Sequence, residues 1–250
     1  MTDQEEMISR RLADLCRKSE KTGQWQYSFF LTLAEQEHVG RSPLSGRADY
    51  HFWGGSETAE RKILAAGREE EMGSPAYPIS AVQVAPISGK FAEALEHRDY
   101  LGALMNLGIE RALIGDLTVR DGAACFFCMD SIADYLTDSL SQVRRTAVAA
   151  KRLPGDAPQL QPVFQDASFT VASERLDAVV AGFASLSRSQ AVALFTASKV
   201  MINGRVETDK SRTLQPGDVI TVRGTGKAVY RGITRETRKG RLLVTLSRYI

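Results

Sequence analysis

Basic side chains and small hydrogen-bond donors recur at short intervals between Ser173 and Lys227. Lys and Arg neutralise phosphate groups, while Ser, Gln and Asn donate hydrogen bonds to phosphate or ribose oxygens. Ser187 followed three residues later by Gln190 is the capping-box signature of a helix start, where backbone N–H groups add affinity for anions. These residue types predict contact with structured RNA. The candidate residues are Arg175, Ser187, Arg188, Ser189, Gln190, Lys199, Asn203, Arg205, Lys210 and Arg212.

The same residues have a structural alternative, an ion pair within the fold. Arg175 and Asp177 lie two residues apart, and we interpret Asp177 as a structural residue that pairs with Arg175. For Arg188 and Arg205 we favour the RNA contact.

The formal net charge of +2 hides an asymmetry along the chain. Residues 173–250 contain 14 basic and 6 acidic residues, a net charge of +8, whereas residues 1–172 contain 18 basic and 24 acidic residues, a net charge of −6. Such asymmetry indicates a polyanionic partner for the basic end. The alternative is a solvated basic surface without a partner. We rank it lower because the charge coincides with the RNA-binding pattern.

The overall composition is that of a globular protein without membrane segments. The 250 residues suffice for two or three domains, and 43% of them are hydrophobic. No apolar run approaches the ~20 residues that cross a bilayer, and the N-terminal residues lack the apolar segment of a signal peptide. Three cysteines make no disulfide framework. We therefore expect a cytoplasmic protein with no membrane insertion.

Cys125 and Cys128 have the spacing of half a zinc knuckle, but the sequence contains no second such pair and its three histidines lack ligand spacing. We expect buried free cysteines, no metal and no cofactor. Phe126 and Phe127 between them suggest base stacking on a strand. Adjacent strand residues point to opposite faces, however, so at least one of the two belongs to the core.

Residues 1–75 are predicted to form a helical N-terminal domain. Apolar residues between Glu5 and Lys18 follow a helical period. A second helix is predicted to start at Ser56 and to end near Gly67 or Met72.

Residues 76–153 predict the order β-α-β-β-α-β of a ferredoxin-like, RRM-like domain. Asp121-Gly122 predicts a hairpin turn, and Asp130 is a good N-cap for the second helix. Residues 154–172 begin with a Pro- and Gly-rich stretch and are predicted to be a linker. The predicted strands are Ile79–Ile87, Ile114–Val119, Ala123–Met129 and Thr146–Arg152, and the predicted helices are Phe91–Leu107 and Ser131–Leu140.

Residues 173–250 are predicted to form two short helices and a small antiparallel sheet. Asn203-Gly204 has the residue types that a type I′ turn requires, and Pro216-Gly217 those of a type II turn. Two further strands are predicted after Ala228, around a run of basic residues. The fold class expected for the whole chain is α+β.

Ser173 to Lys227 resembles the S4 RNA-binding module almost position for position. The matching segments are Arg175-Leu176-Asp177, Ser187 to Ala191, Ile202 to Val206, and Leu214 to Ile220.

The whole chain resembles the YlmH family of bacterial S4-domain proteins. The residues that carry this likeness are Gly54-Gly55, Ala59 to Lys62, His97 to Leu107, and Gly108 to Asp116. The resemblance implies a helical N-terminal region, an RRM-like middle domain and a C-terminal S4 domain. It also implies association with the large ribosomal subunit, handling of stalled translation and a gene placed among cell-division genes.

The function expected from the sequence is non-catalytic binding of structured rRNA or tRNA, with a protein partner contacting residues 1–153. His97, Arg98 and Arg111 are candidates for a second RNA contact. A helix-start hydrogen-bond network is the structural alternative for His97 to Asp99. Two other functions stay open: an RNA-modifying enzyme with an active site around His97, Arg98 and Asp99, and a scaffold for cell-division proteins. No catalytic residue is predicted.

Overall fold

A computed structural model describes residues 3–41, 49–88, 93–155, 157, 160 and 163–249. The chain divides into two compact units, Met1–Gln161 and Pro162–Ile250. Both units combine helices with antiparallel sheets, which confirms the α+β class. Among the described residues, no single helix has the length and apolar content to cross a membrane. The helices Leu176–Ala184 and Arg188–Thr196 reach that length and apolar content only when they are counted together, and a 107° bend separates them.

The first unit begins with a helix that packs on a three-stranded antiparallel sheet. Ile8, Leu12 and Cys16 recur every four residues, so they form one buried helix face against Leu64 and Ala66 of the sheet. The sheet order is β1-β3-β2. The elements are α1 (Asp3–Thr22), β1 (Gln26–Leu31), α2 (Leu33–Arg41), β2 (Asp49–Trp53), β3 (Lys62–Gly67) and α3 (Glu69–Met72).

The helix predicted from Ser56 to Gly67 is wrong, because Lys62–Gly67 forms the central strand β3. Leu64 faces the α1 side, while Ile63 joins a different apolar cluster. A strand that is buried on both faces is a short continuous apolar run, which has no period that distinguishes it from a helix. Residues 1–75, which were predicted to form a helical domain, therefore contain the predicted first helix and also a sheet.

The middle of the chain has the predicted β-α-β-β-α-β order. Its sheet runs β5-β6-β4-β8-β7, and the first four strands have the ferredoxin-like arrangement. Asp121 and Gly122 both have positive φ, at 49° and 72°, as the predicted hairpin turn requires. The elements are β4 (Ile79–Pro86), α4 (His97–Asn106), β5 (Ile114–Arg120), β6 (Ala123–Met129), α5 (Asp130–Ser139), β7 (Gln142–Val143) and β8 (Thr146–Leu153).

Two helix starts in this region differ from the prediction. The helix expected from Phe91 begins at His97; residues 91 and 92 lie outside the described residues, and 93–96 are not helical. Asp130 is not the N-cap of α5, because Met129 holds that position and Asp130 is the first helical residue; its carboxylate accepts a hydrogen bond from Ser80 Oγ.

Strand β6 of the middle sheet is buried on both faces, whereas β8 exposes residues such as Ala149 and Lys151. One face packs against α4 and α5 through residues such as Phe126 and Leu104. On the other face, Cys125 and Phe127 join a cluster with Phe30 and Ile63 of the N-terminal sheet. The predicted division between residues 75 and 76 therefore does not separate two independent cores.

The second unit is a six-stranded antiparallel sheet in the order β11-β10-β12-β13-β14-β9, with two helices packed on one face. Asn203 and Gly204 have φ of 50° and 78°, which fits the predicted type I′ turn, and Gly217 has φ of 99°. The elements are β9 (Phe164–Val171), α6 (Leu176–Ala184), α7 (Arg188–Thr196), β10 (Val200–Ile202), β11 (Arg205–Val206), β12 (Val219–Val222), β13 (Gly226–Glu236) and β14 (Leu242–Tyr249).

The linker predicted over residues 154–172 contains a strand. The second half of this segment is β9, which pairs with β14 along its whole length. In β9, Phe169 and Val171 pack into the core while Thr170 is exposed, an alternation typical of a strand covered on one face. The Pro and Gly residues that suggested a linker all precede Phe164.

Candidate nucleic-acid interface

Two arginines of the S4-like segment hold one buried carboxylate. Arg175 Nε lies 3.2 Å from Asp177 Oδ1, and Arg188 Nε lies 3.0 Å from Asp177 Oδ2. The Asp177 side chain is 4% exposed, whereas the Arg175 and Arg188 side chains are 45% and 58% exposed. Residues at the starts of α6 and α7 are therefore joined at one point of the surface.

The carboxylate at this point is ionised at neutral pH. Burial raises the pKa of Asp177, but hydrogen bonds and charge from Arg188 and Arg175 outweigh it, so the net pKa lies below its ordinary value. The structural alternative thus applies to Asp177 and includes Arg188 as well as Arg175. Because both arginines stay about half exposed, their guanidinium groups remain accessible to a phosphate.

The start of α7 contains the capping box that the sequence predicted. Ser187 N donates to Gln190 Oε1 at 2.9 Å, and Gln190 N donates to Ser187 Oγ at 3.3 Å. Ser189 Oγ lies 3.1 Å from Ser187 Oγ. All three side chains are exposed next to Arg188, although part of their hydrogen-bonding capacity is used within the helix start.

The loop before β12 lies along the start of α6. Leu176 N donates to the carbonyl of Arg212, and Asp177 N donates to that of Lys210. Arg212 is engaged internally, since its guanidinium lies 2.8 Å from Glu207 and 3.9 Å from Asp218. Burial raises the pKa of Glu207, yet the hydrogen bond from Arg212 helps to bring the net pKa below its ordinary value. Lys210 is exposed and is the better candidate for an RNA contact.

The β10–β11 hairpin separates its candidate residues. Asn203 Nδ2 donates to Asp218 Oδ1 at 2.8 Å and Asn203 Oδ1 accepts from Val219 N at 2.9 Å, so this side chain joins the turn to β12. Arg205 is the register partner of Ile202. Lys199 precedes β10 at the opposite end of the strand, roughly 10 Å along the chain at ~3.3 Å per residue. The hairpin therefore does not place Lys199 beside Arg205.

At the start of α4, the hydrogen-bond network expected as the structural alternative is present. Glu96 N donates to Asp99 Oδ2 at 2.9 Å within a capping box, and the Arg98 guanidinium lies 3.2 Å from Glu96. Asp99 is also 3.6 Å from Arg144. His97 and Arg98 are exposed, so the geometry leaves both as candidates for a second contact.

Arg111 has an internal role, which removes it from the exposed candidates. It donates to the carbonyls of Ile114 and Gly115, while Arg61 donates to those of Phe30 at 2.9 Å and Ile114 at 3.0 Å. Burial and the neighbouring Arg61 charge lower the pKa of Arg111 to about 10. Arg61, next to β3, thus links the N-terminal sheet to the middle sheet, while Arg111 holds the start of β5.

Asp116 completes this link, and the sequence alone did not show it. Its carboxylate accepts hydrogen bonds from the backbone N–H groups of Glu60 at 2.6 Å and Arg61 at 3.0 Å. Gly55 has φ of 96°, and a Cβ there would lie 2.3 Å from the Phe127 ring; a Cβ on Gly115 would lie 2.8 Å from Phe30. Three of the segments that carry the family resemblance, Gly54-Gly55, Ala59 to Lys62 and Gly108 to Asp116, therefore meet at one packed junction.

Phe126 and Phe127 are both buried, at 0% and 2% exposure, so neither presents a ring for base stacking. A recess of about 240 Å³ reaches Phe127 between Trp53, Gly55 and Tyr77, and this volume is below that of a typical ligand pocket.

The cysteines are buried and free, as predicted, and burial raises the pKa of Cys128 to about 12. Within the described ranges, no group of three His, Cys, Asp or Glu side chains is arranged to hold a metal ion.

Comparisons with known proteins agree with the two units. A family model described as "Putative RNA-binding domain in YlmH" matches residues 76–156, and the S4 domain model matches residues 174–220. The solved structure of the cell division protein ylmH from Streptococcus pneumoniae matches with a TM-score of 0.51 at 18% identity, over 62% of this chain and 93% of that one, and so supports the fold alone. A protein of Bacillus subtilis (strain 168), ribosome-associated protein quality control protein P2, is 31% identical over an alignment 250 positions long, which covers 96% of this chain and 95% of that protein. Because this similarity spans nearly all of both proteins, the chain belongs to the YlmH family of S4-domain proteins.

Proposed function

We propose that this protein binds structured rRNA or tRNA on the large ribosomal subunit and acts, without catalysis, in the cytoplasmic handling of stalled ribosomes. The S4 match and the name of the Bacillus subtilis relative support a ribosome-associated RNA-binding role. The single observation that carries the proposal is the surface around Asp177. There Arg175, Arg188 and Lys210 lie beside the exposed start of α7.

This surface suits folded RNA better than a flexible basic segment would. Folded RNA is recognised largely through its shape, its phosphates and its 2′-hydroxyl groups. Arg175 and Arg188 are already held by Asp177, so less side-chain entropy is lost when they contact a phosphate. Backbone N–H groups at the start of α7 add a favourable site for an anion.

The test measures binding of the full-length protein to purified large ribosomal subunits over a range of salt concentrations. The double variant Arg188→Ala, Lys210→Ala removes two charges and leaves Asp177 paired with Arg175. For each lost phosphate contact we expect the slope of log K against log[salt] to flatten by about 0.7 to 0.9. The control is Arg10→Ala, Arg17→Ala, which removes two exposed charges from α1. Equal affinity and slope in both double variants would contradict the proposal.

The catalytic alternative around His97 has weaker support. Asp99, the carboxylate that would assist His97, is used in the helix start and lies near Arg144. If the protein only binds RNA, a strain carrying His97→Ala keeps every modified nucleoside in its rRNA and tRNA. Loss of one nucleoside from the mass spectra would favour the enzyme. The name of the Streptococcus pneumoniae protein does not argue for a cell-division scaffold, since that match supports only the fold.

A further inference from the structure

The positive charge of the second unit lies mostly outside the segment that matches the S4 model. Residues 174–220 contain six basic and five acidic residues, whereas residues 221–250 contain eight basic residues and one acidic residue. The net charges are therefore +1 and +7. We call residues 221–250 the basic extension.

Ion pairs within the S4 segment, residues 174–220, further increase the difference in unpaired positive charge between the two segments. Within the S4 segment, Asp177 binds Arg175 and Arg188, and Glu207 binds Arg212. In the part of the basic extension that the structure describes, none of the six arginines forms a salt bridge with a carboxylate. The described arginines of the basic extension are thus not paired directly with a carboxylate; Asp166 reaches Arg231 only through Ser247, whose Oγ donates to Asp166 Oδ1 at 2.7 Å.

The strands of the basic extension have one face covered by helices and one that is not. Tyr230, Val244 and Leu246 belong to the core beneath α6 and α7. Strand alternation puts their neighbours Arg231 and Ser247 on the opposite face, which we call the outer face. The outer face extends to β9, because Ser247 pairs with Asp166 and Tyr249 pairs with Phe164.

Basic groups on the outer face are held by aromatic rings. Arg231 Nε donates to Ser247 Oγ at 2.9 Å, and its guanidinium carbon lies 5.8 Å from the centre of the Phe164 ring. Lys227 Nζ lies 5.2 Å from the centre of the Tyr249 ring, and the two rings are 4.8 Å apart in an edge-to-face arrangement. Cation–π contacts at these distances hold the two side chains over the sheet.

We propose that the outer face of β9, β13 and β14, with the loop that joins β13 to β14, is a second surface that binds RNA phosphates. We call the surface around Asp177 the S4 surface. This inference rests on the proposed function, because the RNA bound would be the one that the S4 surface also contacts. The charge indicates which partner binds here. The basic extension has a net charge of +7 in 30 residues, including exposed Arg235, Arg238 and Lys239, and β9 adds one carboxylate, Asp166, so the region is complementary to a phosphate backbone. The rings serve mainly to position the cations.

The experiment uses the full-length protein, purified large ribosomal subunits and protein-free 23S rRNA. The variant Arg235→Gln, Arg238→Gln, Lys239→Gln removes the charge of three exposed residues, one in β13 and two in the loop that joins β13 to β14. Its matched control, Arg10→Gln, Arg17→Gln, Lys21→Gln, removes the same charge from exposed positions of α1 in the first unit. We expect the first variant to bind both probes at least about tenfold more weakly at physiological salt, with a slope of log K against log[salt] flattened by about 2. Unchanged melting temperatures would confirm that both variants fold.

Four outcomes separate this inference from the proposed function when Arg188→Ala, Lys210→Ala is measured in parallel. If only Arg188→Ala, Lys210→Ala loses binding, the S4 surface is supported as an RNA contact and the outer face is not a contact. If the outer-face variant alone loses binding, the inference stands and the S4 assignment falls. If neither loses binding, both fall. If the outer-face variant loses affinity for subunits but keeps it for protein-free 23S rRNA, the outer face contacts a ribosomal protein and the RNA assignment is overturned.

Discussion

The middle sheet and the C-terminal sheet each pack helices on one face, but their other faces differ. In the middle sheet that face carries Cys125 and Phe127, which are buried against Phe30 and Ile63. In the C-terminal sheet it carries Arg231, which is exposed. The part of the middle sheet around Phe127 is therefore not open to RNA, whereas β13, a strand of the C-terminal sheet outside the S4 match, carries an exposed arginine.

The arginines of the two units show the same contrast. Arg61 and Arg111 are themselves desolvated and give their N–H groups to backbone carbonyls. Around Asp177 the carboxylate is buried instead, and its two arginines remain at the surface. Whether the guanidinium or the group that it binds is buried thus decides whether an arginine stabilises the fold or can contact a phosphate.

The largest effect is expected for Phe127→Ala, which tests the buried face of the middle sheet. Truncating a fully buried phenylalanine should lower the free energy of unfolding by about 3–5 kcal/mol, because the cluster with Phe30 and Ile63 loses its largest contact. Affinity for large subunits, measured well below the melting temperature, should not change. The comparison variant is Tyr249→Ala on the partly exposed outer face, for which we expect a smaller loss of stability. Weaker RNA binding by folded Phe127→Ala would show that the middle sheet contacts RNA after all.

Arg61→Met tests whether the junction arginines are structural. Removing this guanidinium leaves the carbonyls of Phe30 and Ile114 without their donor and leaves Asp116 without the adjacent charge, so we expect a loss of about 3 kcal/mol in chemical denaturation. Arg98→Met is the control, because that side chain is 77% exposed and its replacement should change stability by no more than about 0.5 kcal/mol. Similar stabilities for the two variants would remove the distinction drawn between buried and exposed arginines.

Asp177→Asn tests the opposite arrangement, in which the carboxylate is buried. Because the folded-state pKa of Asp177 lies below its ordinary value of about 3.9, its ionised form stabilises the fold above that pH, and the contribution is lost as pH falls through the folded-state pKa. We expect the variant to be about 2 kcal/mol less stable than wild type at pH 7. The difference should shrink below about pH 3.9. A difference that is the same at pH 7 and pH 3 would mean that the charge of Asp177 does not matter.

The features that the sequence predicted well depend on residues close together in the chain. The Ser187–Gln190 capping box and the Asn203-Gly204 turn were predicted because a few neighbouring residues determine them. Strand β9 was missed because the Pro and Gly residues before Phe164 indicated a linker, and because its partner β14 lies about 80 residues further along the chain. The internal role of Arg111 was missed for a similar reason, since the groups that surround it include Arg61 from another segment.

The smallest expected effect concerns the turn of the β10–β11 hairpin. Gly204 has φ of 78°, so Gly204→Val should cost about 1–2 kcal/mol from the left-handed backbone alone. Gly204→Asn is the matched control, because Asn adopts this conformation more readily. Asn203 joins the same turn to Asp218 and Val219, so a distorted turn should also displace Arg205. If Arg205 contacts RNA, Gly204→Val should weaken binding a few-fold when measured well below its melting temperature, and the Asn variant should not. Wild-type affinity in both would mean that the hairpin is only structural, and that the RNA surface of the S4 segment is confined to the helix starts around Asp177.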